Sequence, residues 1–149
     1  MAYKGKYTPQ NPSKYIGNPT QCIYRSLWER KVMNWMDHNP SVIRWGSESV
    51  IIMYTSPVDK KKHRYYVDFI MEVKDKTGKI RTVLIEVKPK SQCSPPKKPK
   101  KKTKTYLQES KTWAVNQAKW EAAKRVAESR GWEFTIITED TLFKKEKND

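Results

Sequence analysis

The chain has 149 residues, a net charge of +15 and 36% hydrophobic residues, with six Trp and eight Tyr among its aromatics and aliphatics. That is enough apolar material for one folded core, which excludes a disordered chain and makes a single domain over residues 1–149 the expected organisation. The positive charge implies an anionic polymer or surface as partner, nucleic acid first. With no long apolar span, no lipid-binding amphipathic helix and no N-terminal apolar region, neither a membrane partner nor secretion is expected.

Residues 1–20 carry Tyr3, Tyr7 and Tyr15 among Pro9, Pro12 and Pro19. Prolines this frequent exclude a long helix. An extended arm is expected, lying over the domain, reaching toward DNA, or only partly ordered as a terminus. Near-helical spacing of Ile23, Leu27, Val32, Trp35 and Met36 predicts a first helix over 21–37, with Thr20 as its N-cap and Asn39-Pro40 as its end. Ser26 and Glu29 also fit a capping box, a structural role for that glutamate. A start at Ser26 would leave Ile23 outside the helix, so the longer helix is the favoured expectation. Val42–Trp45 reads as a short extended run broken by Gly46. Val50–Tyr54 reads as a strand buried on both faces, and 56–62 as a polar loop.

Two runs then follow, His63–Met71 and Arg81–Lys88, both rich in β-branched and aromatic residues. Asp75-Lys76-Thr77-Gly78-Lys79 between them is turn chemistry, so the pair is expected to form a hairpin. Glu86 and Lys88 are two apart and share a face. Hairpin pairing brings Asp68 toward Glu86, with Lys88 alongside, and two acids with a lysine at one sheet edge can form a divalent-metal hydrolytic site. Other acid–lysine pairs at this spacing exist, such as Glu72 with Lys74, but that one abuts the turn and reads as solvated surface. Glu86 follows Val83-Leu84-Ile85, a buried-strand run, and a buried carboxylate needs a cation or a hydrogen-bond partner. The alternative is an ordinary structural ion pair with Lys88.

Pro89 ends the second run. Residues 90–105 form a Lys/Pro-rich loop whose lysines, Lys97, Lys98, Lys100, Lys101, Lys102 and Lys104, are either a solvated charge run or a DNA-backbone contact. Residues 106–130 are the longest helical pattern, with Leu107, Trp113, Val115, Ala118, Ala122 and Val126 as apolar positions and Gly131 as C-cap. Trp132–Thr138 is a last strand, and 139–143 begin a short helix before a fraying tail at 144–149. The long helix serves as a crossover that lets the last strand run parallel to a neighbour. Cys22, His38, His63 and Cys93 lack zinc-ligand spacing, and two distant cysteines fit free thiols in a reducing compartment.

Tyr66-Val67-Asp68-Phe69 and Ile85-Glu86-Val87-Lys88-Pro89, with Arg25-Ser26-x-x-Glu29 before them and Phe134-Thr135-Ile136-Ile137-Thr138-Glu139 at the close, resemble the PD-(D/E)xK nuclease superfamily. More narrowly, the pattern over residues 21–140 resembles the N-terminal endonuclease domain of heteromeric transposases. In size and charge it is similar to the head-completion proteins of T4-like phages, thought to be nucleases of this type. Val67 stands where many members have proline. The resemblance implies an α/β fold (α+β, mixed sheet) with a restriction-endonuclease-like core, its central mixed sheet flanked by helices. It implies that Asp68 and Glu86 hold Mg²⁺, with Mn²⁺ as a substitute, joined by the carbonyl of Val87. Glu29 would complete the acidic cluster or hold a second metal. Such a metal polarises the scissile phosphate, while Lys88 orients or deprotonates the attacking water or neutralises charge on the phosphate. Gln117 matches a position where related nucleases place a polar residue, and equally reads as a surface helix residue.

These readings lead to a Mg²⁺-dependent DNA endonuclease with Glu29, Asp68, Glu86 and Lys88 in its site. The expected setting is phage head completion, trimming packaged DNA before tail attachment, in the host cytoplasm and associated with the phage head, with portal or neck proteins as partners. The alternatives are a non-catalytic basic protein that binds DNA or the portal, and an RNA-binding protein.

Overall fold

The computed structural model describes residues 3–143, so the expected fraying tail at 144–149 lies outside the described residues. The core is a four-stranded mixed sheet. In chain order the strands are β1 (Gly5–Lys6), β2 (Ile23–Tyr24), β3 (Val42–Ser47), β4 (Ile51–Thr55), β5 (Lys62–Tyr66), β6 (Phe69–Lys74), β7 (Ile80–Val87) and β8 (Glu133–Ile137). The helices are α1 (Leu27–His38), α2 (Lys104–Ser129) and the single turn α3 (Glu139–Leu142). The main sheet runs β3-β6-β7-β8, while β1-β2 and β4-β5 are separate two-stranded ribbons. The order of β3, β6 and β7 is antiparallel, and α2 carries the chain across so that β8 joins β7 in parallel, as the crossover length implies. Among the described residues no helix is long and apolar enough to cross a membrane.

The sheet has a core on each face. One packs Val32, Met33 and Met36 of α1 against Trp45, Phe69 and Ile85, and the other packs Trp120, Ala123 and Ala127 of α2 against Leu84, Val67 and Ile52. The small side chains of Ala123 and Ala127 let α2 approach the sheet closely. The helix ends where Gly131, at φ +70°, accepts the left-handed conformation. Trp132 N–H then donates to Ala127 O at 2.7 Å and Gly131 N–H to Glu128 O at 3.2 Å, which satisfies the last carbonyls.

Several expectations are corrected. α1 begins at Leu27, not residue 21, because Ser26 is the N-cap and its hydroxyl accepts the Glu29 N–H at 3.1 Å. Thr20 caps nothing: Pro19–Gln21 make one 3-10 turn capped by Asn18, after which Ile23 pairs with Lys6 in β2 and is exposed. Leu27 and Trp35 are also exposed, and the buried face of α1 is Val32, Met33, Met36 and Asp37. Gly46 does not break β3. It lies inside the strand opposite Ile70, where a Cβ would meet Ser49 Oγ at 2.8 Å and Ile16 Cβ at 3.1 Å, so glycine is needed for close approach. The buried stripe of α2 is Asn116, Trp120, Ala123 and Ala127, while Leu107 is exposed.

β4 is not buried on both faces. Ile52 is covered, but Ile51 and Met53 are 52% and 53% exposed, because the β4-β5 ribbon lies outside the main sheet with one face on α2. The run His63–Met71 is likewise two strands. β5 pairs with β4, the chain bends through Val67-Asp68, and β6 enters the main sheet. The arm, from Tyr3 to Thr20, lies over the domain. Tyr7 and Tyr15 meet Trp45 edge-on with ring centres 6.0 and 4.8 Å apart. Asp37, fully buried, accepts from Tyr7 Oη at 2.8 Å, Gln10 N at 2.7 Å and Asn11 N at 3.1 Å. Lys14 Nζ donates to the carbonyls of Met36, Asp37 and Asn39 at the end of α1.

Candidate active site

The hairpin between β6 and β7 sets the site. Asp75 Oδ1 accepts the N–H groups of Thr77 and Lys79 at 2.9 and 3.0 Å, and Gly78 sits at φ +83°, which closes the turn and fixes the register. Phe69 then pairs with Ile85, so Asp68, one residue earlier, stands beside Glu86 and Val87 where β5 bends into β6. Val87 N–H donates to Asp68 Oδ2 at 2.8 Å. Lys88 Nζ is 3.4 Å from Glu86 Oε1. Its backbone is fixed too, because Lys88 N–H donates to Ile137 O at 3.0 Å in continuation of the β7-β8 pairing.

Glu86 is 6% exposed, and its second oxygen accepts the hydroxyl of buried Tyr65 from β5. Sequence reasoning passed over Tyr65. The available signal was that a buried tyrosine needs an acceptor for its O–H, and Glu86 was the buried acid without one. Burial, then the charge of Glu86, hold the Asp68 carboxyl well above the usual carboxylate range. The Val87 N–H and Lys88 oppose this shift, and the charge of Glu29 adds to it. One ammonium therefore faces two carboxylates at the end of the two central strands, and the balance of charge there favours a proton or a further cation.

Glu29 lies in the first turn of α1 and within electrostatic range of Asp68, but is bonded elsewhere. Burial raises its carboxyl, against which the Arg25 backbone N–H, the Arg25 charge and the Ser26 hydroxyl act; Arg25 itself pairs with Glu48. Among the described residues no three His, Cys, Asp or Glu side chains gather closely enough to hold a metal ion unaided. A divalent cation at the Asp68–Glu86 pair would need further oxygen ligands from the Val87 carbonyl, water or a substrate phosphate. Mg²⁺ suits such a set, since it takes oxygen donors and keeps several waters. The donor chemistry and the charge deficit fit the ion.

The structure brings together Asp68, Glu86, Val87 and Lys88. Lys97, Lys98, Lys100, Lys101 and Lys102 are exposed on the segment that follows the 3-10 turn Lys90–Cys93, and Lys104 is exposed as the first residue of α2, which begins before the expected end of the loop at 105 because Thr103 caps it; none joins an ion pair among the described residues. Gln117 is exposed on α2, whereas its neighbour Asn116 is buried. Cys22 and Cys93 are free thiols.

Two comparisons identify relatives. Residues 39–139 match the family model described as TnsA-like endonuclease N terminal. Asp68, Glu86 and Lys88 fall inside that span, and Glu29 lies outside it. Over 146 residues, 95% of either chain, the sequence is 46% identical to the head completion nuclease of Enterobacteria phage T4. The chain thus belongs to the TnsA-like endonuclease N-terminal family, a nuclease with a restriction-endonuclease-like fold.

Proposed function

We propose that this protein is a Mg²⁺-dependent DNA endonuclease that acts in phage head completion. The observation that carries the reading is the carboxylate pair Asp68–Glu86, set side by side by the hairpin register, with the Lys88 ammonium 3.4 Å from Glu86. Mg²⁺ held by Asp68, Glu86 and the Val87 carbonyl would supply the positive charge that polarises a scissile phosphate. Tyr65 and the Val87 N–H keep the two carboxylates in place before substrate arrives. Lys88 holds its ammonium beside Glu86, where it can orient the attacking water or stabilise negative charge that grows on the phosphate. Glu29 adds negative potential from α1 and joins the site as a supporting acid. The exposed lysines from Lys97 to Lys104 grip the DNA backbone without reading sequence.

The name of the phage T4 relative, head completion nuclease, supports a nuclease that acts in finishing the phage head; DNA as substrate, the host cytoplasm and the head as setting, and portal or neck proteins as neighbours complete the proposal. The test is cleavage of linear, nicked-circular and branched DNA in Mg²⁺ or Mn²⁺ by the full chain, Asp68→Asn and Glu86→Gln. Metal-dependent cutting abolished by both substitutions supports the proposal. Salt-sensitive binding with no cutting on any substrate would replace it with a purely structural DNA-binding role.

A further inference from the structure

Beside the candidate site lies a groove that the proposed chemistry does not use. It runs between the 3-10 turn Lys90–Cys93, which begins two residues after Lys88, and the first half of α2, and it encloses about 660 Å³. Gln92 lines it from the turn, and Lys104, Gln108, Trp113 and Asn116 line it from α2. Asn116 is 6% exposed. The side-chain hydrogen bonds on α2 among the described residues are the Thr103 cap, Arg125 with Glu121, and Ser129 with Val126. Among the described residues the Asn116 amide makes no protein hydrogen bond, and Asn116 lines the groove. Unlike the Trp120 Nε1 on the same helix, which is sealed in the core, the amide is open to the groove and free to bond with an occupant.

The lining describes its ligand. Three amides, Gln92, Gln108 and Asn116, each offer donors and an acceptor, as the edge of a nucleobase requires. The half-buried indole of Trp113 offers a face on which a base can stack. Lys104 lines the groove opposite its one carboxylate, Glu109, and the exposed lysines Lys97 to Lys102 precede Lys104 in the chain. Pockets of about 300–1,000 Å³ accept single small ligands. This one is of nucleotide scale and has no room for a duplex.

We propose that the groove binds an unpaired strand of the DNA substrate, led out of the candidate active site along α2. The proposal rests on the nuclease reading for the identity of the nucleic acid, and it narrows the substrate to DNA with a single-stranded end or flap next to the scissile bond. Stacking on an aromatic residue with polar and cationic surroundings is how sequence-tolerant single-strand sites work.

The test uses the full chain in EDTA, so no cleavage enters. Affinities are measured for a labelled oligothymidylate, an oligouridylate and a blunt DNA duplex of the same length. Trp113→Ala is expected to weaken oligothymidylate binding roughly 10-fold, the loss of one stacked base, while duplex binding changes less than about twofold. Trp113→Phe keeps a stacking face and is expected to retain most of the affinity. Gln108→Ala, on the exposed rim and harmless to folding, is expected to weaken oligothymidylate alone. Variants that bind oligothymidylate like the wild type, or lose both ligands equally, overturn the proposal, and a preference for oligouridylate overturns its assignment to DNA. A chain that holds oligothymidylate through Trp113 yet never cuts DNA would keep the groove and sink the nuclease reading instead.

Discussion

Two aspartates of this molecule, Asp37 fully buried and Asp68 half-buried, have opposite environments. Asp37, at the end of α1, is surrounded by donors: the Tyr7 hydroxyl and the N–H groups of Gln10 and Asn11. Burial alone would raise its carboxyl, but those hydrogen bonds outweigh burial and hold it below the usual range. Asp68, where central strand β6 begins, has one N–H donor and a second carboxylate beside it, and its carboxyl is held above the usual range. Burial pushes both carboxyls up, yet the outcomes are opposite, because partners decide which form is favoured. Asp37 fastens the arm to the domain. Asp68 sits beside a second carboxylate at the end of a strand, an arrangement in which a cation can act.

The largest expected effect separates the two by activity. Asp68→Asn and Glu86→Gln should each lower DNA cleavage by about 1,000-fold or more while leaving binding in EDTA nearly unchanged. Thermal unfolding of metal-free Asp68→Asn should show no loss of stability, since it removes like-charge repulsion with Glu86. Asp37→Ala should do the reverse. It strands three donors and should cost about 3 kcal/mol in urea unfolding, with cleavage per folded molecule intact.

Tyr65→Phe comes next in size. It removes the hydroxyl that orients Glu86 but no ligand, so the cleavage rate should fall about 10-fold, as for other partners of metal ligands. A higher Mg²⁺ requirement for half-maximal rate would mark it as a positioning residue.

The hairpin, the parallel β8 and the Asp68–Glu86–Lys88 grouping were legible because they rest on local signals: Gly78 and Asp75 in the turn, and the length of the crossover helix. Tyr65, the split of His63–Met71 into two strands and the exposure of Ile51 and Met53 were not. Each depends on which surface a ribbon happens to cover, and alternation alone cannot distinguish a ribbon with one covered face from a central strand. The start of α1 was misread for a related reason. Ile23 has a helical spacing, but its backbone is taken by pairing with Lys6, and the helix can begin only where Ser26 caps it. Asn116 and Gln117 show the limit of pattern matching on a helix, since a shift of one residue exchanges a buried amide for an exposed one.

The pH dependence should differ in sign at the two sites. Asp37, with its folded value depressed, contributes stability that is present above the ordinary carboxylate pKa, about 4, and lost as pH falls through its folded value. Asp68 has a raised folded value. In the metal-free protein its ionised form weakens the fold, so stability should rise as pH falls from that raised value toward about 4. Asp68→Asn should flatten this second limb and Asp37→Asn the first, as read from urea midpoints across pH. The smallest effect belongs to the lysine segment. Replacing one of Lys97 to Lys102 with Gln should reduce the salt dependence of duplex binding by at most about 0.9 in log–log slope, with cleavage at low salt little changed.

The central claim is that Asp68 and Glu86 form a metal-holding pair, and Mn²⁺ binding tests it most directly. The free-ion EPR signal would be followed as the full chain, Asp68→Asn, Glu86→Gln and Asp37→Asn are titrated with Mn²⁺. The account expects bound Mn²⁺ in the wild type and in Asp37→Asn, and loss of that binding in both Asp68→Asn and Glu86→Gln. Wild-type Mn²⁺ binding that survives in both site variants would contradict it.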